Sequence, residues 1–320
     1  MHPAEKTDTP VRFAASASAE GSDSCAEAVE RAVTDVEGGP GLVLFFTSGE
    51  IDPDSAARDA QAAAGGARVA GMTGSGAFGP DGPLKTGCSA IALSSSFSIG
   101  VSAVDTKDPR AAGREATAEA LAAVGDAPHA AVLLFVDSES GDQAEVVAGA
   151  YGVAGGRIPL AGGAAGGATR ARFADGRALS SGLVVAAIGA TSPIGVGVAH
   201  GCVVRGAPSI VTRAEGPHVI QLDGRPAETV YLEKLGVEDR TLDDATFEKL
   251  AMVHPLAEPE LSGGLRPRYV RGRAAGGVLA CATSIEENAA VVVCAQTPES
   301  IVHSARTAVE AAVSRLDGPA

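Results

Sequence analysis

Two glycine-rich bends carry the chemistry this sequence is best equipped for. Gly71-Met-Thr-Gly-Ser-Gly76 and Gly162-Gly-Ala-Ala-Gly-Gly167 leave backbone N–H groups uncovered. A row of such groups in a concave turn captures a carboxylate or a phosphate. Thr73 and Ser75 add hydroxyl donors around Gly74 in the first bend, and Gly162 and Gly163 open the second. The competing reading is structural: a tight turn that lets strands pack closely. Neither bend is a phosphate-binding loop, since no Gly-Lys-Ser/Thr follows, and neither is a complete Gly-x-Gly-x-x-Gly opening a long helix. A nucleotide cofactor is not expected, and the residues call for no other cofactor.

The remaining candidates are cationic. Arg205, Arg268, Arg271 and Arg273 concentrate positive charge in an otherwise acidic chain, and the planar guanidinium binds carboxylates bidentately. Arg271 alternates with Tyr269 along an expected strand, so one of them could face a cleft; surface salt bridging is the alternative. His254-Pro255 either terminates a helix or reaches a ligand. An arginine or histidine at a seam between lobes would suit an anionic ligand. The six histidines (2, 129, 200, 218, 254, 303) show no HxH or HxxxH spacing, so no metal site is expected. His200 and Cys202 stand two apart, as a nucleophile pair or as a buried thiol beside an edge histidine. No Gly-x-Ser-x-Gly elbow occurs, and no catalytic residue is assigned. Thr47-Ser-Gly-Glu50 and Asp137-Ser-Glu-Ser140 read as helix caps or as ligand contacts at strand carboxyl ends.

An internal duplication positions the bends. Val43-Leu-Phe-Phe46 returns as Val132-Leu-Leu-Phe135, and the same offset carries Arg68-Val69 onto Arg157-Ile158 and Gly74 onto Gly163. After a short insertion, Leu84 falls on Leu179, Gly87 on Gly182 and Ile99-Gly-Val101 on Ile194-Gly-Val196; Asp-Gly turns (81–82, 175–176) precede both sets. Shared order and spacing mark a repeat. The expectation is two β-α-β-β-β units, about 40–105 and 130–200, with helices over Asp54–Ala64 and Asp142–Val153. A linking helix spans Ala111–Val124, and the last two strands of each unit are expected to pair antiparallel. Residues 1–21 read as a disordered leader, followed by a helix over Ser22–Val36. The N-terminal domain is expected over 22–204.

Beyond it, 205–320 reads as a smaller α+β domain. Strands are expected at Ser209–Thr212, His218–Leu222, Arg268–Arg273, Val278–Thr283 and Ala289–Ala295. Helices are expected from Pro226 to about Leu235 and over Leu242–Val253. A closing helix, Pro298–Leu316, places Ile301, Val302, Ala305, Val309, Ala312, Val313 and Leu316 on one face. The fold class is α/β: duplicated units forming mixed sheets, plus an α+β C-terminal domain.

Composition bounds the function. The net charge of −14 repels nucleic acid and anionic membranes, so neither is an expected partner. Met1 to Ser18 has no apolar core of a secretory signal, and the longest apolar runs are strand-length. The five cysteines (25, 88, 202, 281, 294) include no CxxC pair, which suits reduced thiols in a cytoplasmic protein. Only 3% of residues are aromatic, with 41 glycines, so packing must rest on small side chains and close backbone approach.

With these elements in place, the chain resembles the FIST (F-box and intracellular signal transduction) family over roughly residues 30–315. Val211 to Ala227, ending Leu-Asp-Gly-Arg-Pro-Ala, is similar to the segment joining the family's two domains. Gly71–Gly76 with Asp81-Gly82, Leu160-Ala-Gly-Gly163 and His200-Gly-Cys202 resemble its N-terminal domain. Tyr269-Val-Arg271, Ala280 to Ile285 and Val291-Val-Val resemble its C-terminal domain. The chain departs from the family's Cys-Ser-Thr-Ala-Gly-Glu-Ile-like run: Met72 to Phe78 has neither the Cys nor the Glu. The resemblance implies a sensory protein that binds a small ligand such as an amino acid, with its output carried by a separate protein. The alternatives are a small-substrate enzyme of acyl or amide chemistry, with Cys202 or a bend hydroxyl as nucleophile, and a protein-binding scaffold.

Overall fold

The computed structural model of the chain describes residues 12–48, 50–79, 82–105, 108–138, 142–237, 242–261 and 263–316. Asp81, Glu139, Ser140 and the first eleven residues of the expected leader lie outside them. Two compact units result: Met1–Gly141 with Glu145–Ile194, and Asp142–Ala144 with Gly195–Ala320.

In the first unit the order is β1 (Ala14–Glu20), α1 (Ser24–Thr34), β2 (Pro40–Ser48), α2 (Pro53–Ala63), β3 (Arg68–Gly74), β4 (Ala77–Gly79), β5 (Gly82–Leu84), β6 (Gly87–Ser94), β7 (Ser98–Val104), α3 (Pro109–Val124), β8 (His129–Val136), α4 (Gln143–Ala154), β9 (Leu160–Ala164), β10 (Arg172–Ala174), β11 (Arg177–Leu179) and β12 (Leu183–Ala190). One sheet has the order β1-β6-β2-β3-β10-β11 and the other β7-β12-β8-β9. The α/β class with mixed sheets holds: β2/β3 and β8/β9 are parallel, while their other partners are antiparallel.

The duplication is visible in space, in a frame shifted from the expected one. β1-β6-β2-β3 and β7-β12-β8-β9 correspond strand for strand, so each copy is β-α-β-α followed by four strands. Three expectations change accordingly. Residues 14–20 are not a disordered leader but a strand, paired along its whole length with β6. The helix read as a linker, α3, is the second copy's counterpart of α1. β6 and β7 do not form a hairpin: both edges of β6 are taken by β1 and β2, so β7 joins the other sheet beside β12. Ile194-Gly-Val196, matched by residue type to Ile99-Gly-Val101 of β7, is not a strand.

Strand alternation builds four layers. In β2, Val43 and Phe45 pack in the core formed with α1 and α2, while Leu42, Leu44 and Phe46 belong to the core between the sheets. In β12, Leu183, Val185 and Ala187 pack with α3 and α4, and Val184, Ala186 and Ile188 face the first sheet. Within their layer α3 and α4 come close because their contact residues are small. A Cβ on Gly113 of α3 would overlap the Val146 carbonyl of α4, and one on Gly149 would overlap the Arg110 carbonyl. Asp52 caps α2 by accepting from Ser55 N at 2.9 Å, a role expected of the Thr47–Glu50 segment.

The copies differ in their hairpins. Among the described residues β4–β5 pairs only with itself, whereas β10–β11 continues the other half's sheet through β10 against β3. Phe173 of β10 stacks on Phe45, ring centroids 4.5 Å apart. Arg68 of β3 grips Asp175 of the hairpin turn through Nε and Nη2, at 3.0 and 2.7 Å to Oδ2.

The second unit holds β13 (Val203–Glu215), β14 (His218–Leu222), β15 (Arg225–Pro226), α5 (Ala227–Lys234), α6 (Asp244–Met252), β16 (Leu256–Pro259), β17 (Leu265–Arg268), β18 (Val270–Ala274), β19 (Val278–Cys281), β20 (Ala290–Ala295) and α7 (Pro298–Val313). Its sheet runs β17-β16-β20-β13-β14-β19-β18, with β15 beside β14. Tyr231, Phe247 and Leu279 are fully buried in its core. The expected strand over Arg268–Arg273 is broken at Tyr269, and β13 opens upstream of the strand expected at Ser209. Three glycines let the segment before β13 lie against α7: a Cβ on Gly195 or Gly197 would overlap the carbonyl of Ala312 or Ala308, and one on Gly201 would crowd Ser300. The rest of the α7 apolar stripe stays open, with Val302 and Val309 more than 60% exposed.

Candidate functional site

The two glycine-rich bends, far apart in sequence, lie side by side. β3 and β9 both run out at their carboxyl ends, and the first bend is hydrogen-bonded to the loop that follows β9. Gly166 N donates to the Thr73 carbonyl at 2.9 Å, and Thr73 N to the Ala171 carbonyl at 2.9 Å. The Thr73 hydroxyl donates to the Gly166 carbonyl at 2.9 Å and accepts from Ala171 N at 3.0 Å. A side chain at Gly166 would meet Ser75 Oγ at 2.9 Å, and one at Gly163 would touch Met72 Cε at 3.3 Å.

This geometry sorts the expected site residues. Thr73 is fully buried with its hydroxyl both donating and accepting, so it is a clamp between the bends that burial closes to a ligand. Gly162 is explained by packing: a Cβ there would overlap the Leu134 carbonyl of β8, as one on Gly71 would overlap Phe45 of β2. Gly74 and Gly163 are half-buried and Ser75 is exposed, and these three keep surface on which a ligand can rest. In the first bend the tight-turn reading therefore accounts for Thr73, while Ser75 stays exposed.

Arg205, His254 and Arg271 belong to the other unit. Arg205 is exposed on β13 and Arg271 on β18. His254 ends α6: its Nδ1 lies 2.8 Å from the Leu250 carbonyl, and its own carbonyl accepts the Tyr231 hydroxyl at 2.6 Å. No hydrogen bond or ion pair joins these three among the described residues. The neighbouring Arg268 and Arg273 are committed to Glu258, and to Glu228 with Asp244.

Cys202, half-exposed among the free cysteines, lines a cavity of about 300 Å³ with His200, Ser300 and His303. Its thiol is held below the ordinary value by a hydrogen bond with Cys294, with Gln296 assisting against burial; the same contact pushes Cys294 up. His200 turns Nδ1 to the Cys202 backbone N–H at 3.3 Å, so that ring nitrogen does not serve the thiol as a base. Burial pushes Cys281 up to about 12. Among the described residues no group of three His, Cys, Asp or Glu could hold a metal ion, and no helix is long and apolar enough to cross a membrane.

One residue at the bends escaped the sequence reading. Arg172 opens β10 opposite Met72, next to the clamped Ala171, and its side chain is wholly buried. Nη1 donates to the Arg170 carbonyl at 2.6 Å and lies 3.8 Å from Asp137 Oδ1 just past β8. Nε and Nη2 are buried without a partner among the described residues. Burial lowers the pKa of this guanidinium, and the charges of Asp137 and Asp105 act against that. Alternation with Phe173 placed Arg172 on the face opposite the helices, which in an isolated sheet would be solvent. Only the second sheet makes that face an interior.

The FIST N domain model matches residues 41–225, from β2 to β15. No curated protein matches the chain.

Proposed function

The chain belongs to the FIST family, and on that premise we propose that this sensory, signal-transducing protein binds a small polar metabolite, an amino acid or related acid, at the joined bends of its first unit. The observation that supports the reading is the direct hydrogen bonding of Thr73 to Gly166 and Ala171. It gathers main-chain groups from both copies of the duplication around Gly74, Ser75 and Gly163. A ligand resting there touches both halves of the unit and favours the arrangement in which the bends are apposed. A separate polypeptide reads that change. The resemblance of Tyr269-Val-Arg271 and its neighbours supports assigning 205–320 to the family's C-terminal domain type.

A thermal-shift panel of amino acids and simple carboxylic acids tests the reading. A true ligand at about 100 times its Kd adds about 2.7 kcal/mol of stability and raises Tm. Silence across the panel sinks the proposal. The enzymatic alternative has one observation behind it, the lowered thiol of Cys202 beside a cavity. Cys202→Ala retains the ligand-induced shift under the sensory reading, whereas under the enzymatic one it abolishes turnover.

A further inference from the structure

Three arginines of this fold present the same edge, Nε with Nη2, and two of them hold a carboxylate on it. Arg68 binds Asp175 through Nε at 3.1 Å to Oδ1 and Nη2 at 2.7 Å to Oδ2. Arg268 binds Glu258 through Nε and Nη2, each at 3.2 Å. On Arg172 that edge has no partner among the described residues, although both nitrogens are buried. The two filled edges lie on partly exposed side chains. The unfilled one belongs to the guanidinium that water reaches least.

Leaving buried donors unmet costs roughly 1–3 kcal/mol each, more for charged groups. A buried guanidinium is tolerated when it is paired and hydrogen-bonded. Asp137 does not fill the role, since its nearest approach is 3.8 Å and is to Nη1, on the other side of the fork. The residue that carries the unmet edge adjoins the bends. Arg172 adjoins Ala171, which Thr73 grips, and it pairs across β3 with Met72, whose methyl lies against Gly163.

We propose that the Nε–Nη2 edge of Arg172 is the receptor for a small-molecule carboxylate. Asp137 is the anionic group beside it that meets the α-ammonium of an amino acid. This rests on the sensory reading above and names the chemistry of that same site. Parallel N–H groups fit the two carboxylate oxygens as a fork. An amide isostere supplies one acceptor and no charge, and is rejected. Asp137 keeps 13% of its side chain exposed next to a guanidinium with none, so the ligand enters from the Asp137 side.

Calorimetric titration of the full chain at constant ionic strength, with acetate, acetamide and glycine as probes, tests the assignment. Acetate and glycine are expected to bind at least tenfold tighter than acetamide, and Arg172→Gln to lose at least tenfold for both. Asp137→Asn, which keeps the receptor edge, is expected to bind acetate several-fold tighter and glycine several-fold weaker, a crossed response that a purely structural role does not produce. Equal binding of acetate and acetamide, absence of binding by both acids, or unchanged affinity in Arg172→Gln overturns the proposal. Should Arg172→Gln not fold, the crossed response of Asp137→Asn decides, and its absence overturns the assignment. A metabolite that stabilises wild type and Arg172→Gln alike sinks this receptor and leaves the sensory reading standing. Silence of every acid in the panel, acetate and glycine included, sinks both readings.

Discussion

Thr73 commits its hydroxyl and both main-chain groups to the loop between β9 and β10. Thr73→Val is nearly isosteric and strands the Gly166 carbonyl and the Ala171 N–H, so urea unfolding is expected to show a loss of about 1–3 kcal/mol. Thr73→Ser keeps the oxygen and is expected to lose less; a loss in Thr73→Ser as large as that in Thr73→Val would contradict the weight given to these hydrogen bonds. At this scale the sequence was informative about place and silent about role. Thr73 and Ser75 flank one glycine and look equivalent on paper, yet one is sealed and the other exposed. Strand parity puts both on one face; what separates them is that β3 ends at Gly74. Arg172 was not legible at all, because nothing in Arg170-Ala-Arg-Phe173 signals that a second sheet covers its face.

At the scale of elements, glycine content has opposite meanings on one helix. Gly149 of α4 and Gly113 of α3 meet backbone to backbone, while Gly152, also in α4, has open space where its side chain would be. Alanine favours helix over glycine by about 1 kcal/mol, so Gly152→Ala is expected to stabilise by up to that amount. Gly113→Ala must push the helices apart and is expected to destabilise by about 1–3 kcal/mol. Thermal unfolding of the two variants checks the opposite signs, and a gain at Gly113 would contradict the close crossing. Most helices and strands were readable from apolar runs bounded by turn residues. Their frame was not. Residue matches are densest from β2 to β3, so the repeat seemed to start there. The short β6–β7 link suggested a hairpin that the occupied edges of β6 exclude.

For the whole molecule, β1 shows how a segment of modest sequence can carry weight. Ala14 to Glu20 alternates small and polar residues and looks dispensable, yet it covers the outer edge of β6 over seven register pairs. A chain starting at Gly21 exposes that edge, and open edges self-associate. Size-exclusion chromatography of this truncation is expected to show oligomers or aggregate. A monomer with unchanged Tm would mean that β1 adds nothing. Two-unit organisation was foreseeable from the change of pattern after residue 200; its limit at Ile194 was not, because the residues that follow pack along α7 through glycines whose purpose is invisible without that helix.

The hairpin β10–β11 leaves the copy that encodes it and finishes the other copy's sheet. A chain carrying one copy alone would therefore show β3 with nothing beside it, and its natural cover would be the hairpin of a sister molecule. Fusion of two copies turns that exchange into an interlock within a single polypeptide. Cutting the main chain at Ser95–Phe97, between the halves, should consequently yield two pieces that stay clasped and melt together.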